Sequence, residues 1–212
     1  MRRIAQAQKA PVIVVDQNLL ALEEDATVMV EQFWDESLDD NELFCTLKKK
    51  TIEIKRCDMV TLKGLNWLND NVINGYLSLI VERSQAGQDA TPRLPKVWAP
   101  STFFYSKLKD EGYPAVKRWT KPNKCPGGIF SHDIMIVPVH LKMHWACGFL
   151  DFRKKTIELY DSLGISETIF FKIMRNYIVA EAADKKVAGV DIDEWTDVRV
   201  RQLVPSRFGR SP

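Results

Sequence analysis

The chain has 212 residues, of which 45% are hydrophobic and 27% are charged, which is enough for one domain with a single core. Lysine and arginine total 30 against 28 acidic residues, so the formal net charge of +2 gives no support for nucleic-acid wrapping or for binding to a membrane surface. The early apolar run, residues 12–15, is too short for a signal-peptide core or a membrane span.

The cysteines indicate a reducing compartment. The chain has four cysteines, which lie at irregular spacings with no Cys-x-x-Cys pair, namely Cys45, Cys57, Cys125 and Cys147. This usage is typical of reduced thiols in an intracellular protein rather than of a disulfide framework.

The first predicted elements follow an N-terminal extension. Residues 1–27 show no sustained hydrophobic period, so we expect a flexible segment or a strand that adds on docking. The compact domain is predicted to start near Val28. Helical spacing then predicts an amphipathic core helix over residues 69–84, with Asn69 or Asp70 as its N-cap.

Further along, a polar loop over residues 85–96 precedes a second helix, which is predicted to start at Ser101 or Thr102 and to end at Gly112. Three strands are predicted next, over residues 129–139, 144–151 and 156–161. A last helix is predicted over residues 166–183. Helices before and after an antiparallel sheet indicate an α+β fold.

Two of the predicted strands carry the residues with the most informative chemistry, His144 and Asp161. If the hairpin closes at Asp151 and Thr156, antiparallel pairing sets Asp161 opposite Ala146, and the period of two puts His144 on the same face. Diagonal neighbours of this kind have Cβ atoms roughly 7 to 8 Å apart, so the carboxylate is expected to accept the imidazole Nδ1 proton. A slip of one residue would move Asp161 to the other face.

A histidine oriented by a carboxylate is the pair that Cys-His-Asp chemistry requires. Only the thiolate attacks, and the imidazole lowers the thiol pKa and later protonates the leaving amine. From spacing alone, an ordinary sheet histidine with an incidental partner is an equally good interpretation. A zinc site is the other alternative, formed by His132, His140, His144 and Cys147. Strand geometry argues against zinc, because residues four apart on a strand are about 13 Å apart.

Several short motifs occur in order over most of the chain. They are LNWLND at residues 65–70, FFYSKL at 103–108, KRWT at 117–120, VPVHL at 137–141 followed by HW at 144–145, DFRKK at 151–155 and YDS at 160–162. Together they resemble the sentrin/SUMO-specific proteases of the ubiquitin-like protease family.

The resemblance implies the papain-like α+β fold, with a central antiparallel sheet flanked by helices and without its C-terminal part. The implied reaction is cleavage after the C-terminal Gly-Gly of the modifier, in SUMO precursors and in SUMO-conjugated proteins. By the same resemblance, His144 would act as general base and acid, and Asp161 would orient it.

The resemblance also implies a substrate-binding surface. Trp67 and Trp145 would flank the diglycine tail, since a slit between flat aromatic faces admits only residues without side chains. Asp70 and Arg118 would face the modifier. Without the resemblance, the tryptophans would be interpreted as core residues and the two charges as solvated surface groups.

The sequence departs from the family pattern after Pro205. Counting from that proline, Arg207 stands where the family has an oxyanion-stabilising glutamine, and Pro212 stands where an aspartate precedes the nucleophilic cysteine. We therefore divide the chain into an extension over residues 1–27, an incomplete catalytic domain over 28–205 and a divergent tail over 206–212. Cys147 is closest to His144 in sequence but is predicted on the opposite face of the strand.

Three functions remain open at this point: a SUMO-specific thiol protease, a SUMO-binding module without catalysis, and a non-functional fragment. The expected partners are SUMO and SUMO-conjugated proteins, with no nucleic acid, no membrane and no cofactor. The chain is expected to be a monomer in the nucleus or also in the cytoplasm.

Overall fold

The computed structural model describes residues 24–35, 37–47, 51–64, 66–164 and 168–201. The predicted tail at 206–212, Pro205, and all but the last four residues of the predicted extension lie outside these ranges. Residues 24–27 belong to a helix that starts before the predicted domain boundary at Val28.

Five elements form the N-terminal part. They are α1 (Glu24–Phe33), the antiparallel pair β1 (Leu43–Leu47) and β2 (Ile52–Lys55), α2 (Arg56–Val60) and α3 (Asp70–Ala86). The prediction of α3 is confirmed, with Asn69 as its N-cap accepting a hydrogen bond from the Val72 amide at 3.1 Å. Gly75 lies inside α3 because the hairpin packs closely there: a Cβ on Gly75 would come within 3.1 Å of Leu47 and Ile54.

A five-stranded sheet forms the main layer. The strands of this sheet and the helices between them are, in chain order, β3 (Val97–Trp98), α4 (Phe103–Glu111), α5 (Tyr113–Val116), β4 (Ile134–His140), β5 (Trp145–Asp151), β6 (Thr156–Asp161), α6 (Thr168–Asp184) and β7 (Thr196–Arg201). The strand order is β3-β4-β5-β6-β7. The three central strands are antiparallel as predicted, whereas the edge strands β3 and β7 pair in parallel with β4 and β6. The α+β class is confirmed.

Both faces of the sheet are covered by helices. On one face, Leu150 and Ile157 pack with Phe170 of α6, and a Cβ on Gly148 would lie 2.5 Å from the Phe170 ring. On the other face, Ile136 packs against Leu77 of α3. Among the described residues, no helix is both long enough and apolar enough to cross a membrane.

One predicted strand is shorter than expected. Pairing starts at Ile134, and residues Ile129–Ser131 form a 3-10 turn instead of continuing the predicted strand over 129–139. The preceding Gly127 and Gly128 have φ values of +79° and +73°, so the chain turns there before it enters the sheet.

The turn between β5 and β6 determines the register of the hairpin. The Asp151 carboxylate accepts hydrogen bonds from the backbone amides of Arg153 (3.0 Å) and Lys154 (3.2 Å) and from the Arg153 guanidinium. Asp151 pairs with Thr156, the closing pair that the sequence predicted, and Cys147 pairs with Tyr160. Continuing this register by one residue sets Asp161 opposite Ala146.

We expect Asp151→Ala to lower the free energy of unfolding by about 1–3 kcal/mol, because two backbone amides at the turn lose their acceptor. The Arg153 guanidinium is half-exposed and should contribute little to this loss. Asp89→Ala, in the exposed loop after α3, is a matched control that should change little.

The effect should depend on pH. Burial alone would raise the pKa of Asp151, but the hydrogen bonds from Arg153 and Lys154 outweigh burial and hold it below its ordinary value. A lowered pKa in the folded state means that the stabilisation is complete above the ordinary aspartate pKa of about 3.9 and is lost as the pH falls through the folded-state pKa. Urea unfolding at pH 7 and in acid checks this, and equal stability of wild type and variant at pH 7 would contradict it.

Candidate active site

His144 and Asp161 form a hydrogen-bonded pair at one end of the sheet. The His144 Nε2 atom lies 2.6 Å from Asp161 Oδ1, and the two side chains are 13% and 6% exposed. Asp161 Oδ1 also accepts the Leu163 amide at 3.0 Å, which fixes the carboxylate against the chain that follows β6. The pairing predicted from strand periodicity is therefore confirmed.

The nitrogen that meets the carboxylate differs from the sequence expectation. The prediction was Nδ1, but the structure presents Nε2 to Asp161. Nε2 lies on the far side of the ring from Cβ, so it is the nitrogen that spans the distance between diagonal neighbours. As a result, Nδ1 is the nitrogen available to a nucleophile, and the two ring atoms have separate tasks.

A short turn between β4 and β5 presents His144. The Leu141 amide donates to the His144 carbonyl at 2.7 Å, and His140 pairs with Trp145 across the turn. The rings of His140 and Trp145 are in contact in a tilted arrangement, with centroids 4.5 Å apart and an interplanar angle of 34°. Sequence analysis did not identify His140 as a support for Trp145, although pairing across the turn is the signal that indicates it.

Trp67, the other tryptophan predicted to line the slit, is linked to this end of the sheet through the next residue in the chain, Leu68. Trp145 Nε1 donates to the Leu68 carbonyl at 3.0 Å, which joins the segment before α3 to β5. Trp67 is 49% exposed and Leu68 is 39% exposed. Core packing does not account for a half-exposed indole at this place, so the interpretation of Trp67 as a core residue is wrong.

Asp70 and Arg118 occupy different elements. Asp70 is the first residue of α3 and follows Trp67 closely along the chain. Arg118 is exposed on the turn after α5. In the described part of the chain, no hydrogen bond or ion pair joins Arg118 to the other predicted site residues, so its contact with a modifier stays a prediction.

Cys147 does not adjoin the His144 imidazole. It packs beside Leu77 and Ile136 on the face covered by α3, whereas Asp161 lies on the face covered by α6. Burial raises the pKa of the Cys147 thiol to about 11. The predicted placement on the opposite face is confirmed.

The other three thiols lie elsewhere. Cys125 is buried 4.0 Å from His132 Nδ1, and burial together with the charge of Glu181 raises its pKa to about 12. Cys45 lies in β1, where burial raises its pKa, and Cys57 is exposed in α2. Since reactive cysteines have lowered pKa values, the buried environments of Cys45 and Cys125 do not activate a nucleophile.

The candidate zinc ligands have different partners. His132 Nδ1 lies 2.9 Å from the Gly128 carbonyl, the His140 ring contacts that of Trp145, and His144 bonds to Asp161. Among the residues that the structure describes, no group of three or more His, Cys, Asp or Glu side chains is arranged to hold a metal ion.

Comparison with known proteins identifies the family. Residues 66–205 match the family described as "Ulp1 protease family, C-terminal catalytic domain". A sentrin-specific protease of Caenorhabditis elegans is 41% identical over 179 residues, which cover 84% of this chain and 24% of that protein. Sentrin-specific protease 2 of Rattus norvegicus is 41% identical over 145 residues, covering 68% of this chain and 23% of that protein.

Solved structures agree with this match. The C-terminal Ulp1 protease domain in complex with Smt3, the yeast ortholog of SUMO, superposes with a TM-score of 0.66 at 27% identity, covering 85% of this chain and 74% of that chain. Ulp1 with its catalytic cysteine oxidised to a sulfinic acid gives a TM-score of 0.65 at 26% identity, with the same coverage. This chain belongs to the Ulp1 family of SUMO-specific proteases. It spans about a quarter of the length of the curated relatives that it matches.

Thiol reactivity tests the placement of the cysteines. In the folded chain at pH 8, we expect iodoacetamide to label Cys57 first and to spare Cys147, because a thiol with a pKa of about 11 is only about one part in a thousand thiolate at that pH. A Cys57→Ser variant should show slow labelling until urea unfolds it. Labelling of Cys147 as fast as that of Cys57 in the folded protein would contradict this account.

Proposed function

We propose that this domain recognises SUMO by its C-terminal Gly-Gly and presents the bond after it to the His144–Asp161 pair. The reaction for which this site is built is thiol-dependent hydrolysis, in SUMO precursors or in SUMO-conjugated proteins. The hydrogen bond between His144 Nε2 and Asp161 Oδ1 is the observation that carries the proposal. Membership of the Ulp1 family and the likeness to the Ulp1 domain in complex with Smt3 support SUMO as the modifier.

His144 has two proton-transfer roles in this proposal. Its Nδ1 takes the proton of the attacking thiol and later gives a proton to the leaving amine, as the thiolate becomes an acyl thioester. Asp161 keeps the ring oriented and stabilises the imidazolium through Nε2. Water then hydrolyses the thioester, which releases the modifier and returns the thiol.

The diglycine tail would lie beside Trp145. The Trp145 indole is held by its bond to the Leu68 carbonyl and by the His140 ring, so it offers a rigid flat surface. With Trp67 on the other side of the tail, a side chain larger than hydrogen at either glycine would collide with an indole. Asp70 and Arg118 would meet the body of the modifier, where exposed charges act mainly on association rate and specificity.

Cleavage further requires a thiolate at His144 Nδ1, and none of the four cysteines is placed to supply it. We therefore propose that these 212 residues alone bind SUMO without cleaving it. The buried core on both faces of the sheet supports a folded binding module over a non-functional fragment. A cooperative thermal melt followed by circular dichroism tests the folding directly.

We expect the chain to bind SUMO ending in Gly-Gly at least about tenfold more tightly than SUMO whose penultimate glycine is replaced by alanine, because the methyl group does not fit between the indoles. Isothermal titration calorimetry measures both affinities. Trp67→Ala should remove the difference, and Tyr76→Ala, which removes a 66% exposed aromatic ring from α3, is the matched control. Equal affinity of the wild type for both tails would contradict the two-indole slit.

We expect no release of fluorophore from a SUMO substrate with a C-terminal fluorogenic amide, because imidazole and carboxylate do not replace the nucleophile. The His144→Ala variant should give the same baseline. SUMO vinyl sulfone should leave all four cysteines unmodified by mass spectrometry. Turnover that His144→Ala abolishes, together with an adduct on one cysteine, would overturn the proposed lack of cleavage and identify the nucleophile.

A further inference from the structure

We propose that Asp58 is a positioning residue that holds the Trp67–Leu68 segment against Trp145 and so maintains the diglycine slit. The inference rests on the proposed function, because it concerns recognition of the same tail. Asp58 is remote from the His144–Asp161 pair in sequence and belongs to α2 in the N-terminal part.

The Asp58 carboxylate is buried and fully engaged. It is 2% exposed, and both of its oxygens accept hydrogen bonds. Oδ2 accepts the Lys55 amide at 2.8 Å, while Oδ1 accepts the side-chain amides of Asn69 at 2.7 Å and Asn71 at 3.1 Å. No salt bridge to Asp58 occurs within the described ranges. All three donors are neutral, so the carboxylate acts here as a geometric acceptor and not as half of an ion pair.

Both ends of the loop between α2 and α3 converge on this residue. At the start of the loop, the Asp58 carbonyl accepts the Thr61 amide at 3.0 Å and the Thr61 hydroxyl at 2.7 Å. At its end, the side chain of Asn69 reaches back to the Asp58 carboxylate. Inside the loop, Asn66 donates to the Val60 carbonyl at 3.0 Å. The loop that carries Trp67 is therefore closed on a single buried aspartate.

Asn69 transmits this constraint to the slit. Its Oδ1 accepts the Val72 amide as the cap of α3, while its Nδ2 donates to Asp58. Both polar atoms of the Asn69 side-chain amide therefore have a hydrogen-bond partner. The preceding residue, Leu68, offers its carbonyl to Trp145 Nε1. Because Trp67 is half-exposed, the direction of its indole depends mainly on this backbone. Loss of the hydrogen bond between Asn69 and Asp58 is thus expected to shift the indole of Trp67 relative to that of Trp145.

Reversing one hydrogen bond provides the sharpest test. Asp58→Asn places an amide nitrogen against another donor, either the Lys55 amide or the side-chain amides of Asn69 and Asn71. Asn69→Asp places two carboxylates in contact across a 2.7 Å gap, although aspartate is itself a good helix cap. Combining the two changes restores a donor opposite an acceptor, because the new amide at position 58 donates one hydrogen to the new carboxylate at position 69. Its second hydrogen requires the Asn71 side-chain amide to turn over and present its oxygen. A double-mutant cycle therefore separates this bond from other effects of the substitutions.

The quantity to measure is the ratio of the affinities for SUMO with and without its Gly-Gly tail, obtained by calorimetry on the 212-residue chain. We expect each single variant to lower this ratio at least about tenfold and leave the affinity for tailless SUMO within about threefold of wild type. The double variant should recover most of the ratio. A purely structural role would lower both affinities together, so the ratio is the decisive readout.

A folded Asp58→Asn variant that keeps the wild-type ratio would overturn the inference and leave the proposed function intact. If the single variants do not fold, the double variant decides: a retained ratio supports the inference, and a lost ratio in a chain with wild-type unfolding free energy overturns it. A wild-type chain with a ratio of one would refute tail recognition itself, and the inference with it.

Discussion

Asp161 accepts a hydrogen bond from His144 only while β5 and β6 keep one register, in which Asp151 pairs with Thr156 and Cys147 with Tyr160. A shift by a single residue would turn the Asp161 carboxylate to the α3 face and leave His144 unoriented. The turn at Asp151 and the close packing of α6 over Gly148 both oppose such a shift. The chemistry of the site thus depends on a backbone pairing that is stabilised at the far end of the hairpin.

The rest of the site comes from a different part of the chain, and a hydrogen bond joins the loop before α3 to β5. The loop before α3 carries Trp67, is closed on Asp58, and reaches the sheet through the bond from Trp145 to the Leu68 carbonyl. Because Trp145 directly follows His144, the proposed recognition surface and the proposed catalytic pair share one backbone. A change in the loop is therefore expected to alter tail recognition before it alters the imidazole.

Local patterns predicted the elements whose contacts lie nearby in sequence. The spacing of apolar residues was sufficient for α3, α4 and α6, and strand periodicity was sufficient for the His144–Asp161 pair. The edge strands β3 and β7 were missed because parallel pairing depends on partners far along the chain, and β1 and β2 are short and only partly buried. Asp58 gave no signal, since its carboxylate bonds to side chains 11 and 13 residues away. The sequence could not predict that Nε2 rather than Nδ1 bonds to Asp161, because this depends on how far the imidazole ring extends in three dimensions.

The orientation of the His144 ring can be measured directly by two-bond 15N–1H correlation spectra of the histidine-labelled chain. Only three histidines contribute, and His144 is assigned as the set of signals that disappears in His144→Gln. The account predicts that neutral His144 carries its proton on Nε2 and that Asp161→Asn shifts this signal strongly. A neutral His144 protonated on Nδ1, or a signal indifferent to Asp161→Asn, would contradict the pairing on which the site depends.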